Sequence, residues 1–138
     1  FGSTWVPPFQ LFSLGLASCK LGPSFPGWLQ TQSHLKFLDI SDAVIDDSAP
    51  DWFWSKLQSI REMNMSYNSL KATIPNILIK LTDVHTFIIL NSNKHEGGIP
   101  SFISQADKLD LSQNKISDLN TFLCGKNAIT NMQIQIIK

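Results

Sequence analysis

The residues that could carry chemistry are few in this chain, and they do not form a catalytic set. His95-Glu96 begins like the H-E-x-x-H helix of a zinc protease, but Ile99 stands where the second histidine would be. The Gly-Gly-Ile-Pro segment that follows is typical of a loop. His34 and His85 are isolated in the sequence, and such histidines are more often surface residues than metal ligands. We therefore expect no enzyme activity, no metal site and no cofactor.

Three other groups of residues have possible chemical roles. Cys19 and Cys124 are too few for a disulfide framework and too far apart in sequence for a zinc knuckle. The adjacent carboxylates of Asp46 and Asp47 are typical of a solvated turn. Asn64 begins an N-x-S sequon, so it is a candidate glycosylation site if the chain enters the secretory pathway.

Composition excludes several classes of partner. The 138 residues are 43% apolar and 16% charged, with a net charge of zero and no basic stripe, so we expect no binding to nucleic acid. No stretch approaches the roughly 18 to 20 apolar residues that span a bilayer. The opening segment, FGSTWVPPF, lacks the features of a signal peptide. We therefore expect that either a leader was removed upstream or the chain is an internal fragment.

A pair of apolar residues separated by one residue recurs along the chain. The five pairs begin at Leu14, Leu38, Met63, Ile88 and Leu109, and Ile134 begins a partial sixth unit. The step from Ile88 to Leu109 is shorter than the others, which indicates that one turn has been trimmed there. A period of about 24 residues is typical of leucine-rich repeats, which carry L-x-x-L-x-L-x-x-N/C-x-L.

The other letters of each unit have physical reasons. In a strand, alternate side chains point to opposite faces, so the paired residues enter a core and those between them face solvent. An inward Asn or Cys follows, and an Asn there can bond the backbone of a turn. The five residues in that position are Cys19, Ala43, Asn68, Asn93 and Asn114. We expect Cys19 to be buried and the Ala43 rung to be looser. Apolar-Pro pairs, as at Phe25-Pro26, predict extended segments.

The chain resembles the plant extracellular leucine-rich-repeat family. The stretches that carry the resemblance are NSLKATIP at 68 to 75 and NKHEGGIP at 93 to 100. CKLGPSFPGWLQTQ at 19 to 32 and APDWFWSKL at 49 to 57 are similar to receptor-like proteins of the ethylene-inducing xylanase receptor group. The resemblance implies one domain over residues 1–138, uncapped at both ends. That domain is a leucine-rich-repeat solenoid, a right-handed superhelix of about five repeats and a partial sixth. A parallel sheet forms its concave face, and 3-10, short helical or irregular segments form its convex face. Since both flanking caps of the family are missing, we expect the chain to be a fragment of a larger ectodomain or the product of a truncated gene.

The resemblance also implies a function. Family members are anchored at the plasma membrane, recognise elicitors or peptides, and signal in defence or development through partner receptor kinases. The expected ligand of this chain is a peptide or a protein, and a co-receptor kinase is a possible partner. Two alternatives remain open: the repeats could be structural spacers, or a secreted repeat-type inhibitor of an enzyme. The chain itself carries no kinase motif.

Alignment of the repeats predicts which side chains share the concave face. One column contains Phe12, Lys36, Arg61, Thr86 and Asp107, and the next contains Ser13, Phe37, Glu62, Phe87 and Lys108. Outward aromatic residues often mark a binding surface. The candidate ligand-binding residues are Lys36, Phe37, Arg61, Glu62, Tyr67 and Phe87. The alternative is that irregular rungs tuck the two phenylalanines sideways. Asp39, Asn64 and Asp110 form a third column, for which an ordinary structural role is favoured over binding.

Two further expectations follow from stacking. Cys19 and Cys124 lie about four rungs apart, roughly 19 Å at the spacing of neighbouring strands, so they should not form a disulfide with each other. The aromatic residues after the Pro steps should pack on the convex side, although three in succession cannot all point inward. These residues are Trp28, Trp52, Phe53 and Trp54. The ends, 1–8 and from 126 onward, should be the least ordered parts.

Overall fold

The computed structural model describes residues 5–81 and 85–118 and the backbone of 133–135, and each predicted repeat is one rung of a stack. We define a rung as the segment from one apolar pair to the next, starting at residues 14, 38, 63, 88 and 109. The strands of the principal sheet are β1 (Ser13–Gly15), β2 (Phe37–Asp39), β3 (Glu62–Asn64), β5 (Phe87–Ile89), β7 (Lys108–Asp110) and β9 (Gln133–Gln135). Their order is β1-β2-β3-β5-β7-β9, with all neighbours parallel.

The register of this sheet is the one that the repeat predicts. Leu14 faces Leu38, which faces Met63, and the series continues through Ile88 and Leu109. Strand β9 extends it, because Leu109 faces Ile134 in the partial sixth unit. The inward residues of rungs 2 to 5 are almost completely buried. Each of them contributes about 1.5 to 3 kcal/mol through removal of apolar surface from water. The leucine-rich-repeat fold is therefore confirmed.

A second, shorter sheet lies beside the first. Its strands, in spatial order, are β4 (Lys71–Ala72), β6 (Lys94–Gly98) and β8 (Lys115–Asp118). Strand β6 shows that the predicted Gly-Gly-Ile-Pro loop is wrong for its two glycines, since residues 94–98 pair with both neighbouring rungs. Ile99 and Pro100 lie outside any regular element. Gly97, with φ near +78°, and the adjacent register shift supply the irregularity that the sequence suggested.

The convex side differs from rung to rung, as predicted. Rung 1 has a 3-10 helix at Gly27–Thr31, and rung 4 has one at Ser101–Gln105. Rung 2 has the helix α1 (Asp51–Ser55), followed by a 3-10 turn at Lys56–Gln58. In rung 3, residues 73–80 form no regular element. Rungs 1 and 4 both carry a 3-10 helix of five residues, but residues 32–36 join it to the next strand in rung 1, whereas residues 106–107 do so in rung 4. Rung 4 is therefore the shortest because this link is shortened, and its convex helix is kept.

Aromatic residues fill the convex half of the core. Phe53 and Trp54 are buried, and Trp52 is half-buried, so the three do not all point inward. Phe53 meets Phe25 edge-on, with ring centroids 5.1 Å apart. Trp28, also buried, meets Trp5 at 5.6 Å. The prediction that these residues pack rather than bind is confirmed by this burial.

Three asparagines connect rungs 3, 4 and 5, each to the rung before it. Asn93 donates from Nδ2 to the carbonyls of Met65, Leu90 and Asn91, and its Oδ1 accepts the Leu70 N–H at 3.0 Å. Asn68 and Asn114 make the same kind of contacts one rung lower and one rung higher. The amide thus satisfies backbone groups of two turns at once, which a buried turn requires.

Rungs 1 and 2 are joined differently because Ala43 has no amide. The Ala43 carbonyl accepts both the Leu21 and the Gly22 N–H groups at 3.0 Å. The two turns approach so closely that a Cβ on Gly22 would lie 1.8 Å from the Val44 carbonyl oxygen. Gly22 therefore permits a direct backbone contact where an asparagine bridge is missing. Greater mobility of the second rung stays a prediction, but this junction is hydrogen-bonded.

Cys19 is exposed and unpaired, so the prediction that it is a buried thiol is wrong. The ladder explains the difference. Each asparagine side chain reaches toward the rung before it, and Cys19 belongs to the first rung, so no earlier rung of the described residues covers its position. Cys124 lies outside the described residues, as do residues 1–4 and the tail from 126 apart from the backbone of 133–135.

His95 occupies a core position, which the sequence did not lead us to expect. It stands two residues after Asn93, where other rungs carry Leu21, Ile45 or Leu70, and only 1% of its surface is exposed. Its ring meets Trp54 edge-on at 6.0 Å, and Nδ1 lies 3.3 Å from the Ala72 carbonyl oxygen. Within the described part of the chain, Nε2 has no hydrogen-bond partner. Burial lowers the pKa of His95, and the Ala72 contact opposes this only in part.

We predict that Asn93→Ala lowers the free energy of unfolding by about 3 kcal/mol, because buried backbone groups of rungs 3 and 4 lose their partners. The matched control is Asn91→Ala, two residues away, where the side-chain amide, within the described residues, donates only to Ser92 Oγ at 3.3 Å. Urea unfolding followed by tryptophan fluorescence measures both. Equal losses in the two variants would contradict the bridging role of Asn93.

We predict that the chain loses stability as the pH falls below about 6.5, the ordinary pKa of histidine. The unfolded chain then takes up a proton at His95 that the folded chain resists, since the pKa is lowered by burial. His95→Leu should flatten this pH dependence and raise stability at neutral pH. The control is His34→Gln, at an exposed histidine. The measurement is the unfolding midpoint between pH 5 and 7.5. If the midpoint of His95→Leu changed with pH as steeply as that of the natural chain, the assignment of this pH dependence to His95 would be contradicted.

Candidate functional site

A cleft of about 290 Å³ lies on the concave face and crosses strands β1, β2, β3, β5 and β7. Its lining includes Leu14, Leu38 and Met63, whose side chains point inward to the core. Residues on either side of these inward positions provide its walls. The wall residues are Ser13, Gly15, Phe37, Asp39, Glu62, Asn64, Phe87, Ile89 and Lys108. The cleft follows directly from the register, because it joins residues that are one repeat apart in sequence.

One row of side chains crosses the cleft from rung to rung. Phe37 faces Glu62, Glu62 faces Phe87, and Phe87 faces Lys108. Phe87 is 37% exposed, so it is not tucked into the core. Phe37 is half-buried, and its ring meets the exposed ring of Phe12 edge-on, with centroids 5.4 Å apart. Two aromatic side chains therefore flank a carboxylate on a surface that faces solvent.

A second row combines binding-competent groups with structural ones. Asp39, Asn64 and Asp110 each use Oδ1 to accept two hydrogen bonds from the serine two residues later. Each bond closes a turn at the end of its strand. The structural role favoured for this column is therefore confirmed for Oδ1. Asp39 and Asn64 also line the cleft.

The structure brings together three of the six predicted ligand-binding residues. Phe37, Glu62 and Phe87 line the cleft, whereas Lys36 and Arg61 precede their strands at its rim. The Lys36 ammonium is engaged in the fold, since Nζ donates to the Ser59 carbonyl at 2.9 Å. Tyr67 is exposed, but it lies in the turn after β3 and outside the cleft. The whole set is therefore not one patch.

The predicted column through Arg61 needs one correction. Thr86 is 1% exposed, so it does not face solvent with Arg61. Its carbonyl accepts N–H groups from both Asp107 and Lys108, which places it in the joint between rungs. Asp107 pairs instead with His85, whose Nδ1 lies 2.8 Å from Oδ2.

The cleft also contains residues that sequence reasoning did not select. Lys108 lies in the predicted column but is not among the predicted binding residues, and Ser13 and Ile89 are of types too common to attract notice. Their alignment with the predicted residues across neighbouring strands is the signal that could have identified them. The described residues contain no group of three or more potential metal ligands. Nor does any helix in the described part of the chain have the length and apolar character needed to cross a membrane.

Comparison with known families agrees with this geometry. Residues 59–81, which include β3 and the start of rung 3, match the Leucine Rich Repeat family. Receptor-like protein EIX2 of Solanum lycopersicum is 37% identical over 120 residues, which is 87% of this chain and 12% of that protein. Receptor-like protein EIX1 of the same species is 43% identical over 96 residues, 70% of this chain and 9% of that protein. The chain thus spans about a tenth of the length of these relatives.

A solved structure supports the same fold. The LRR ectodomain of the receptor kinase SOBIR1 from Arabidopsis thaliana superimposes with a TM-score of 0.62, covering 80% of this chain and 60% of that one. The two sequences are 17% identical, so this likeness bears on the fold alone. Together with the stacked parallel strands and the similarity over most of the chain, these comparisons identify it as a leucine-rich-repeat protein whose repeats belong with those of plant receptor-like proteins.

Proposed function

We propose that the chain is a ligand-recognition module of a plant cell-surface receptor-like protein, and that its ligand is a peptide or a protein segment that lies across the concave cleft. The parent protein acts at the outer face of the plasma membrane, in defence or developmental signalling, and passes the signal to a partner receptor kinase. The chain performs no catalysis. This proposal draws on the relatives, whose names identify them as receptor-like proteins.

The observation that carries the proposal is the pair Phe37 and Phe87 on the sheet face. A concave sheet that served only as a spacer would have no need to hold aromatic rings toward water. Both rings lie in one cleft with Glu62, and they present apolar surface beside polar groups. Sites of this kind bind extended segments, because the apolar walls provide affinity and the few polar groups provide specificity.

We predict that Phe37→Ala and Phe87→Ala together weaken peptide binding by more than about 30-fold, since buried aromatic anchors carry most of the energy of an interface. The probe is a 12-residue peptide selected from a random displayed library against the 138-residue chain and measured by calorimetry. Phe9→Ala is the matched control, because Phe9 is about as exposed as Phe87 but meets Trp5 edge-on and does not line the cleft. Unchanged affinity in a folded double variant would refute the site, and the spacer reading would then stand.

Asn64 gives a second test of the same cleft. A chain that passes through the secretory pathway presents the Asn64-Met65-Ser66 sequon, and Asn64 lines the cleft. A glycan there would fill the space that a ligand needs. We predict that glycosylated chains pass through a column of the selected peptide while unglycosylated chains are retained, as mass spectrometry of both fractions would show. Asn64→Asp should abolish glycosylation, and Asp39 and Asp110 show that Asp keeps the turn. Glycosylated chains in the retained fraction would contradict the placement of the ligand.

A further inference from the structure

We infer that the cleft selects a peptide with a basic side chain, Lys or Arg, which lies over Glu62 between the rings of Phe37 and Phe87. This inference rests on the proposed function and names the chemistry that the same site recognises. It depends on three features of the cleft: the spacing of the two rings, the state of the Glu62 carboxylate, and the balance of charge around it.

The spacing suits one long side chain. Phe37 and Phe87 lie on strands separated by β3, so their Cα atoms are about 9.6 Å apart at the usual distance between strands. Glu62 stands midway between them in the same row. The volume of about 290 Å³ is enough for one anchoring side chain of an extended peptide segment that lies across the strands. Contact with Phe12 restrains the Phe37 ring from one side.

The Glu62 carboxylate has no polar partner in the described part of the chain. It is exposed, and within the described residues it forms neither a salt bridge nor a side-chain hydrogen bond. The ammonium of Lys36 is bonded to the Ser59 carbonyl instead. Lys108 is two strands away in the same row, with Phe87 between the two. A ligand that covers this row must therefore deal with an uncompensated negative charge.

That charge decides between an apolar and a basic anchor. An apolar side chain between the two rings would remove water from Glu62 and leave the carboxylate unpaired, which is costly. A Lys or Arg side chain packs its methylene stem on the rings and places its cation over Glu62. The ring faces themselves attract a cation. Asp39, on the neighbouring strand of the cleft, adds a second carboxylate, so an acidic ligand group is repelled at this end.

Peptide selection with matched charge variants tests the inference. Random 12-residue peptides selected on the whole chain should be enriched in Lys or Arg at one position. Replacing that residue by norleucine in the synthetic peptide should weaken binding about ten-fold, equivalent to about 1.4 kcal/mol. Glu62→Gln should weaken the basic peptide by a similar factor and leave the norleucine peptide within about two-fold, as expected for a charge-assisted contact. Glu96→Gln, an exposed glutamate on the second sheet, is the control and should leave both affinities unchanged.

The possible outcomes separate this inference from the proposed function. Peptides that depend on Phe37 and Phe87 but show no basic preference, or that bind Glu62→Gln as tightly as the natural chain, would overturn the inference and leave the cleft as a peptide site. Equal losses in Glu62→Gln and Glu96→Gln would also overturn it, since net charge would then be the cause. Selected peptides that are indifferent to Phe37 and Phe87 would overturn both. Circular dichroism of each variant establishes that it is folded.

Discussion

No rung of this chain can bury its apolar face alone, and the rest of the structure depends on the neighbour that covers it. The strands of the principal sheet are very short, so none would hold its shape in water. Stacking stabilises the short strands in two ways. It removes the paired apolar side chains from solvent, and it places each asparagine amide where it can bond the turns of two rungs. Where Ala43 replaces the asparagine, close approach at Gly22 lets the backbones bond directly. Every rung must therefore be covered by a neighbour. The hydrogen bonds that join two rungs can come either from an asparagine side chain or from the backbone.

The same constraint creates the site. The repeat turns distant positions into neighbours, so Phe37, Glu62 and Phe87 form one row although each belongs to a different rung. None of them is needed to hold a rung together, because the core pairs and the asparagines already do so. Most residue types can therefore stand in this row at little cost in stability, which leaves the outward positions free to carry the specificity that we propose for the module. The concave positions that remain structural, such as Oδ1 of Asp39, Asn64 and Asp110, are those that close a turn.

Much of this could be predicted from the sequence, since the repeat determines register. The alignment of Leu14, Leu38, Met63, Ile88 and Leu109, and its continuation to Ile134, follow from spacing alone. The structure differs from the predictions where burial depends on the position of a residue in the stack and not on its type. His95 has the polarity and the Gly-rich neighbours of a loop residue, yet it occupies the position that leucine or isoleucine holds in other rungs. Cys19 has the place of a buried residue in the motif, although that place is covered only by an earlier rung. Thr86 and Tyr67 lie just outside strands, where alternation no longer predicts direction.

The order of the stack is the claim on which both the fold and the cleft depend, and nuclear Overhauser effects between backbone protons of neighbouring strands test it most directly. The account predicts contacts of the parallel type that join the segments at Leu14, Leu38, Met63, Ile88 and Leu109 in that sequence, with Glu62 between Phe37 and Phe87. Antiparallel contacts, or contacts that place the Leu38 and Ile88 segments side by side without Met63 between them, would contradict it.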